Sequence, residues 1–275
     1  ITGGVINVAT KALETMRKAV ALKQNSTRWY ALLQSTVQDE IRKIQENRDY
    51  SSEYKAKLIG ELKEKRGVEI MQQLDKRKQA YLFLLNKAKK QAEDTIYFSL
   101  KKPSDDKVKM FNADLKYFKT KLMLARTGDD VLNGLKEFIK KIETEKEDER
   151  AYFATELAKQ FDEIISTALG LENSDRMKIK LRELYDHLYY ELQTDEIKEA
   201  REVIDTANEL LKEPKIFGGF LVEQSANDLF GRPFAEHMNK PEEFFDRYGY
   251  SSYKRSYSDK ELDEYVEREV GDGVI

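Results

Sequence analysis

The side chains that could do chemistry in this sequence are few, and the first group to weigh is centred on a histidine. Glu183, His187 and Glu191 recur at four-residue steps, which places them on one face of a helix. An imidazole between two carboxylates could serve as a general base or hold a metal. Carboxylate-bridged dimetal bundles need a Glu-x-x-His step on two helices, and this step does not occur. We therefore interpret His187 as a solvated or capping residue.

Other catalytic patterns are missing from the sequence. It contains neither Gly-x-x-x-x-Gly-Lys nor Gly-x-Gly-x-x-Gly, the two common phosphate-binding loops. It has no nucleophile-elbow pattern, and without cysteine it can form no disulfide and use no thiolate. We accordingly expect a protein that is not an enzyme, with no catalytic residues, no cofactor and no metal.

A group of lysines is the one constellation that rises above this background. Residues 53–102 carry 13 Lys and Arg against 7 Asp and Glu. A solvated helix face is one interpretation, with lysine stems shielding an apolar stripe. The other is contact with an acidic protein surface, the acidic tail of a neighbouring copy, nucleic-acid phosphates or anionic lipid, and any nucleic-acid binding would not be sequence-specific. Many of these lysines repeat at eleven-residue steps, and the basic face consists of Lys65, Lys76, Lys78, Lys87, Lys89, Lys90 and Lys101.

The helix that carries this face is predicted for about residues 52–102, a stretch without proline. Its apolar residues also recur at steps of eleven, which is 3.67 residues per turn and keeps the stripe on one side of a nearly straight helix. The stripe is made of two rows, Ile59, Ile70, Tyr81 and Ala92 in one and Leu74, Leu85 and Ile96 in the other. We expect Tyr81, Leu85 and Ile96 to be buried against a partner helix.

These patterns predict an all-α fold with an elongated, coiled-coil-like antiparallel hairpin of long helices. The hairpin covers residues 1–102, and short turns favour antiparallel neighbours. A smaller helical bundle covers residues 103–212, with Pro103 ending the long helix and Ser104 capping the next. That next helix has a seven-residue seam, formed by Val108, Phe111, Leu115, Phe118, Leu122 and Ala125.

Residues 213–275 differ in composition from the rest. They hold 11 of the 29 aromatic residues and a net charge of -6, with 14 acidic against 8 basic side chains. Their rings lack helical spacing, so we predict an extended, irregular tail with one short helix at Asp259–Glu269. Exposed rings in this number need a docking surface. The predicted partner-binding residues are Phe217, Phe220, Phe230, Phe234, Phe244, Phe245, Tyr248, Tyr250, Tyr253 and Tyr257.

Composition supports a folded chain and bounds its role. Charged residues reach 36% and the mean hydropathy is -0.71, but 11% aromatic residues are too many for a disordered chain. No apolar run is long enough to span a membrane.

We expect a structural or interaction protein that serves as a building block or adaptor in an assembly, such as a virion or phage particle, with the tail engaging a protein partner or a neighbouring copy. The alternative is a nonspecific phosphate binder that uses the basic face.

The sequence leaves several points open. An intracellular setting or a viral particle is favoured, but the partner and the oligomeric state are not defined. Neither is the choice between docking of the tail on its own chain and on another. Ile1 is compatible with a processed N-terminus or with a fragment.

Overall fold

The computed structural model describes residues 8–253 and 255–271, with side chains from Thr10 onward; Ile1 lies outside them. All regular structure in these residues is helical, which confirms the all-α prediction. A π-helical turn (His187–Glu191) precedes α9 and a 3-10 turn (Ser251–Tyr253) precedes α13. None of the described helices is long and apolar enough to cross a membrane. The helices are α1 (Val8–Gln24), α2 (Ser26–Glu46), α3 (Ser52–Ser99), α4 (Asp105–Met123), α5 (Gly128–Glu143), α6 (Glu147–Ala158), α7 (Phe161–Leu171), α8 (Asp175–Asp186), α9 (Asp195–Lys212), α10 (Phe220–Phe230), α11 (Arg232–Ala235), α12 (Pro241–Arg247) and α13 (Asp259–Val270).

The chain forms two compact units. The inserted unit comprises Gln91–Ile204 together with the described residues Val8 and Ala9, and the split unit comprises Thr10–Lys90 with the described part of Asp205–Ile275. The chain leaves the split unit within α3 and returns to it within α9. The sequence predicted domain boundaries at residues 102 and 212. In the structure the chain changes unit after Lys90 and after Ile204, and the tail belongs to the same unit as most of the predicted hairpin.

In the split unit, α2 and α3 lie side by side and run antiparallel. Lys55, near the start of α3, donates from Nζ to the carbonyl oxygen of Gln45 near the end of α2, at 2.7 Å. Two eleven-residue steps later, Arg77 donates from Nε to the Ser26 hydroxyl at the start of α2, at 2.8 Å. The Ser51 hydroxyl accepts the Tyr54 N–H and caps α3. These contacts fit the predicted hairpin.

The apolar stripe of α3 is buried as predicted in its central part. Leu74 and Leu85 are fully buried and Tyr81 nearly so. Ile96, in the inserted unit, is only half-buried. Burial also raises the pKa of Tyr81.

The tail is not irregular, and that part of the fold prediction is wrong. It forms α10 to α13, and apolar side chains of α10 to α12 pack in the same core cluster as residues of α2 and α3. Phe217, Phe244 and Phe245 are fully buried there. The Phe244 ring lies at the centre of an aromatic cluster, 4.8 Å from the Phe234 ring and 5.5 Å from the Tyr250 ring. Tertiary burial thus stabilises α11 and α12, helices of four and seven residues that are too short to show a clear apolar period.

The inserted unit has a separate core formed by α4 to α8 and the π-helical turn. The predicted seam of α4 packs against this core, with Phe118 and Leu122 buried. Ser104 caps α4 as predicted, accepting the Lys107 N–H. Thr127 begins α5 with a reciprocal capping box to Asp130. The seam thus forms the face of α4 that packs against the core.

Candidate interaction surfaces

Three of the seven lysines of the predicted basic face, Lys76, Lys78 and Lys87, contact the tail of the same chain. Lys78 is buried, and its Nζ donates to Glu242 at 2.6 Å and to the carbonyl oxygen of Asn239 at 2.8 Å. Lys87 donates to both carboxylate oxygens of Asp263, at 2.6 and 2.8 Å. Carboxylates of α12 and α13 therefore occupy the positions beside Lys78 and Lys87 that a phosphate would need.

Other lysines of the face have different surroundings. The Lys76 ammonium lies 4.9 Å from the Tyr257 ring centroid and 5.3 Å from that of Tyr265. Lys89 donates to Asn208 at 2.9 Å. Lys65 and Lys90 are exposed. Lys101, in the inserted unit, is exposed too and forms an ion pair with Asp148 at 2.8 Å.

The predicted partner-binding rings of the tail fall into three groups. Phe217, Phe244 and Phe245 are fully buried in their own chain, so they are not open to a partner. Phe220 and Tyr253 are exposed. The half-buried rings are Phe230, Phe234, Tyr248, Tyr250 and Tyr257. Docking of the tail on its own chain, one of the two possibilities the sequence left open, is thus observed for most of these residues.

His187 is the centre of a polar cluster, although not with both predicted carboxylates. Its Nδ1 lies 2.5 Å from Glu191 Oε2 and its Nε2 lies 2.7 Å from Glu143 Oε1, at the end of α5. Glu183 is exposed, and no contact joins it to the ring. Burial lowers the pKa of His187, but hydrogen bonds to the two carboxylates outweigh it and raise the pKa. The imidazolium then donates to both carboxylates and joins α5 to the π-helical turn.

No group of three metal-ligating side chains with suitable geometry occurs in the described part of the chain. A π-helical turn often marks a functional site, but here the ring nitrogens already have carboxylate partners. We interpret the cluster as a structural clamp between α5 and the π-helical turn.

The outward face of α4 is the surface that the sequence interpretation missed. Four large apolar residues at the helix and its C-cap are 64–77% exposed: Met110, Tyr117, Met123 and Leu124. Three of them, Met110, Tyr117 and Leu124, follow one another at seven-residue steps and so share one side of the helix. We call these four residues the α4 stripe. The seven-residue step was visible in the sequence, but the same helix carries the buried seam with the same step.

An apolar pocket of about 210 Å³ adjoins the start of the α4 stripe. Aromatic rings form much of its wall. The Phe111 ring stacks on the Phe153 ring with centroids 4.6 Å apart, and it lies 5.6 Å from the Phe138 ring. Met110 and Ile142 complete the apolar lining. The pocket thus opens beside an exposed apolar side chain and has aromatic walls.

Charged side chains surround this pocket. Lys107 Nζ lies 2.5 Å from Glu149 and 2.8 Å from Glu145, and hydrogen bonds to Glu145 and Glu149 raise the pKa of Lys107. Lys141 Nζ lies 3.3 Å from Asp114. An apolar centre with a charged rim has the composition of a protein–protein interface.

The geometry of the α4 stripe and its pocket suits the binding of an apolar side chain from another protein. We call the stripe, the pocket and its charged rim together the α4 surface.

Comparison with known proteins places the chain in no group, since no protein family, no curated protein and no solved structure matches it.

Proposed function

We propose that the chain is a non-enzymatic structural or interaction protein, a helical component of a larger assembly that binds another protein through the α4 surface. The observation that carries this proposal is the exposure of the four apolar side chains of the α4 stripe beside an apolar pocket. Contiguous exposed apolar patches on folded proteins commonly mark interaction sites. A virion or phage particle is the setting that we favour for the assembly.

The tail has a different part in this proposal from the one expected from sequence. Because its rings pack in the core of the split unit, we assign the tail to the scaffold. The inserted unit then provides the interface. Among the tail rings, Phe220 and Tyr253 remain candidates for a partner contact, since both are exposed.

Phosphate binding remains the alternative, but it has less support. The exposed lysines of the face, Lys65, Lys90 and Lys101, would have to supply it. Lys78 and Lys87 are engaged by carboxylates of the same unit. Binding through the remaining lysines would weaken steeply as salt rises.

Purification of tagged full-length chain from its source cells tests the proposed function. We compare the wild type with Leu124→Asp, and we use Leu32→Asp as the matched control because Leu32 is also an exposed leucine, on α2 (64% exposed). The proposal expects a protein complex that survives high salt, is retained by Leu32→Asp and is lost by Leu124→Asp. Recovery of nucleic acid or anionic lipid alone, lost at high salt and insensitive to Leu124→Asp, would favour the alternative.

A further inference from the structure

We propose that the α4 surface binds the α4 surface of a second copy of the chain, with the two α4 helices antiparallel about a twofold axis at Tyr117. This inference rests on the proposed function and names its partner. It follows from the order of side chains on the side of α4 that carries Tyr117, where an apolar residue lies at each end and opposite charges lie at similar distances from the centre. From Met110 the sequence runs through Asp114, Tyr117 and Lys121 to Leu124.

An antiparallel pairing matches these side chains one to one. Met110 faces Leu124 of the second copy, and Tyr117 faces its own equivalent. Asp114 lies near Lys121 of the second copy, so the pairing contains two opposite-charge contacts related by symmetry. A parallel pairing would instead place Asp114 beside Asp114 and Lys121 beside Lys121, which is unfavourable. Self-complementarity of this kind is what a twofold interface requires.

The pocket gives the antiparallel arrangement a second point of support. It lies beside Met110, and in this pairing Met110 lies opposite Leu124 of the second copy. Leu124 of that copy therefore comes close to the pocket opening. An apolar cavity of about 150 Å³ accepts a benzene-sized molecule, so a pocket of about 210 Å³ accommodates an aliphatic side chain. By symmetry, each copy inserts a side chain into the other.

The size of the contact indicates a reversible dimer. The 19 residues of α4 correspond to a helix roughly 28 Å long. The four side chains of the α4 stripe and the charged rim make a contact near the lower end of specific interfaces, which bury about 800 Å² per partner. We therefore expect an oligomeric state that depends on concentration.

Sedimentation equilibrium of the purified full-length chain over a range of concentrations tests the dimer. We expect a monomer–dimer equilibrium for the wild type and for the Leu32→Asp control. For Leu124→Asp we expect a monomer over the whole range, with unchanged circular dichroism, because Leu124 is 75% exposed and adds little to the fold. A wild type that stays monomeric, or a Leu124→Asp variant that dimerises as well as wild type, overturns the inference.

Cysteine crosslinking tests the alignment of the two α4 helices. The chain has no cysteine of its own, so every disulfide must come from an introduced cysteine. Disulfides need Cα atoms about 4.4–6.8 Å apart. Tyr117→Cys should crosslink with itself, and a mixture of Met110→Cys and Leu124→Cys should crosslink between the two variants. Met110→Cys alone should not, because antiparallel pairing separates its two copies by about 21 Å along the axis. Crosslinking of Met110→Cys to itself in preference to Leu124→Cys overturns the antiparallel arrangement.

The two proposals fail in different ways. A purified chain that is monomeric, but loses a different protein partner on Leu124→Asp substitution, overturns the dimer and leaves the proposed function intact. A chain whose protein complexes in source cells are all insensitive to Leu124→Asp overturns the proposed function, even where the purified chain dimerises at high concentration.

Discussion

Arg77 of α3 donates a hydrogen bond to Glu269 of α13 over 2.8 Å, although 192 positions of sequence separate the two residues. The Arg77 side chain is only 1% exposed. It also donates to the Leu22 carbonyl oxygen and the Ser26 hydroxyl, and it lies 4.9 Å from the Trp29 ring centroid. The contact therefore links the two sequence segments of the split unit. A buried charge that loses its partner is strongly destabilising, so the link should contribute to the stability of the unit.

Glu269→Gln should destabilise the split unit by about 1–3 kcal/mol, because it removes the charged partner of a buried guanidinium. Trp29 is the only tryptophan and lies in this unit, so its fluorescence during urea unfolding measures the effect. Glu264→Gln on the same helix is the control, since Glu264 is exposed and 3.9 Å from Lys260; a change within about 0.5 kcal/mol is expected. Equal effects of the two substitutions would contradict the assigned role of Arg77.

Two glycines of α3 should respond to alanine in opposite directions. A Cβ at Gly60 would have no neighbour within 4 Å, so Gly60→Ala should stabilise the helix by about 1 kcal/mol. A Cβ at Gly67 would lie 2.5 Å from the Phe234 ring. Overpacking of this kind costs about 1–3 kcal/mol, so Gly67→Ala should destabilise the unit despite its better helix propensity. Urea midpoints from Trp29 fluorescence decide this, and stabilisation by both variants would show that Phe234 moves away freely.

The tail should prove essential to the fold of the split unit. Phe245→Ala is expected to cost about 3–5 kcal/mol, because a fully buried ring leaves a cavity. Phe220→Ala, at a ring that is 70% exposed, should be nearly neutral. The same fluorescence experiment compares them. A near-neutral effect of Phe245→Ala on the free energy of unfolding would mean that the tail contributes little to the core.

His187 should make the stability of the inserted unit depend on pH. Its folded pKa is raised above the ordinary 6.5, so the folded state binds the proton more tightly than the unfolded state. The stabilisation is therefore complete below about pH 6.5 and is lost as pH rises through the folded pKa. Proton NMR of the imidazole measures the pKa, and protection of α5 amides from hydrogen exchange measures the stability.

His187→Gln provides the matching comparison for that prediction. It should abolish this part of the pH dependence and leave helix content unchanged, because glutamine keeps a hydrogen-bonding group but does not titrate. A folded His187 pKa at or below 6.5 in the NMR titration would contradict the proposed double contact with Glu143 and Glu191.

The sequence predicted best those features that depend on neighbours along the chain. The seam of α4 and the Ser104 cap follow from local spacing and local hydrogen bonds. The same is true of the buried stripe around Leu85 on α3. In each case, periodicity and capping chemistry act within a few residues, so a single sequence contains the information.

Features that depend on distant residues were not predictable in this way. The adjacent Phe244 and Phe245 are both buried, which no single helical stripe allows, because the elements packed around α12 enclose both sides of it. The contact of Lys78 with Glu242 joins residues 164 positions apart. On α4, Tyr117 and Phe118 belong to two apolar stripes with the same period, and periodicity cannot tell which stripe is covered.

The interruption of the split unit by the inserted unit has a consequence for biosynthesis. Gln91–Ile204 is continuous in sequence, so it can complete its core while the ribosome is still adding later residues. The core around Met71 cannot close until Phe217 and Phe245 have been made, and the Arg77 guanidinium has no Glu269 until the end of α13. During translation, therefore, α2 and α3 expose apolar surface for as long as it takes to synthesise about 170 residues, the separation between Met71 and Phe245. The long helices that are synthesised first are therefore the ones that a chaperone would most need to protect from aggregation.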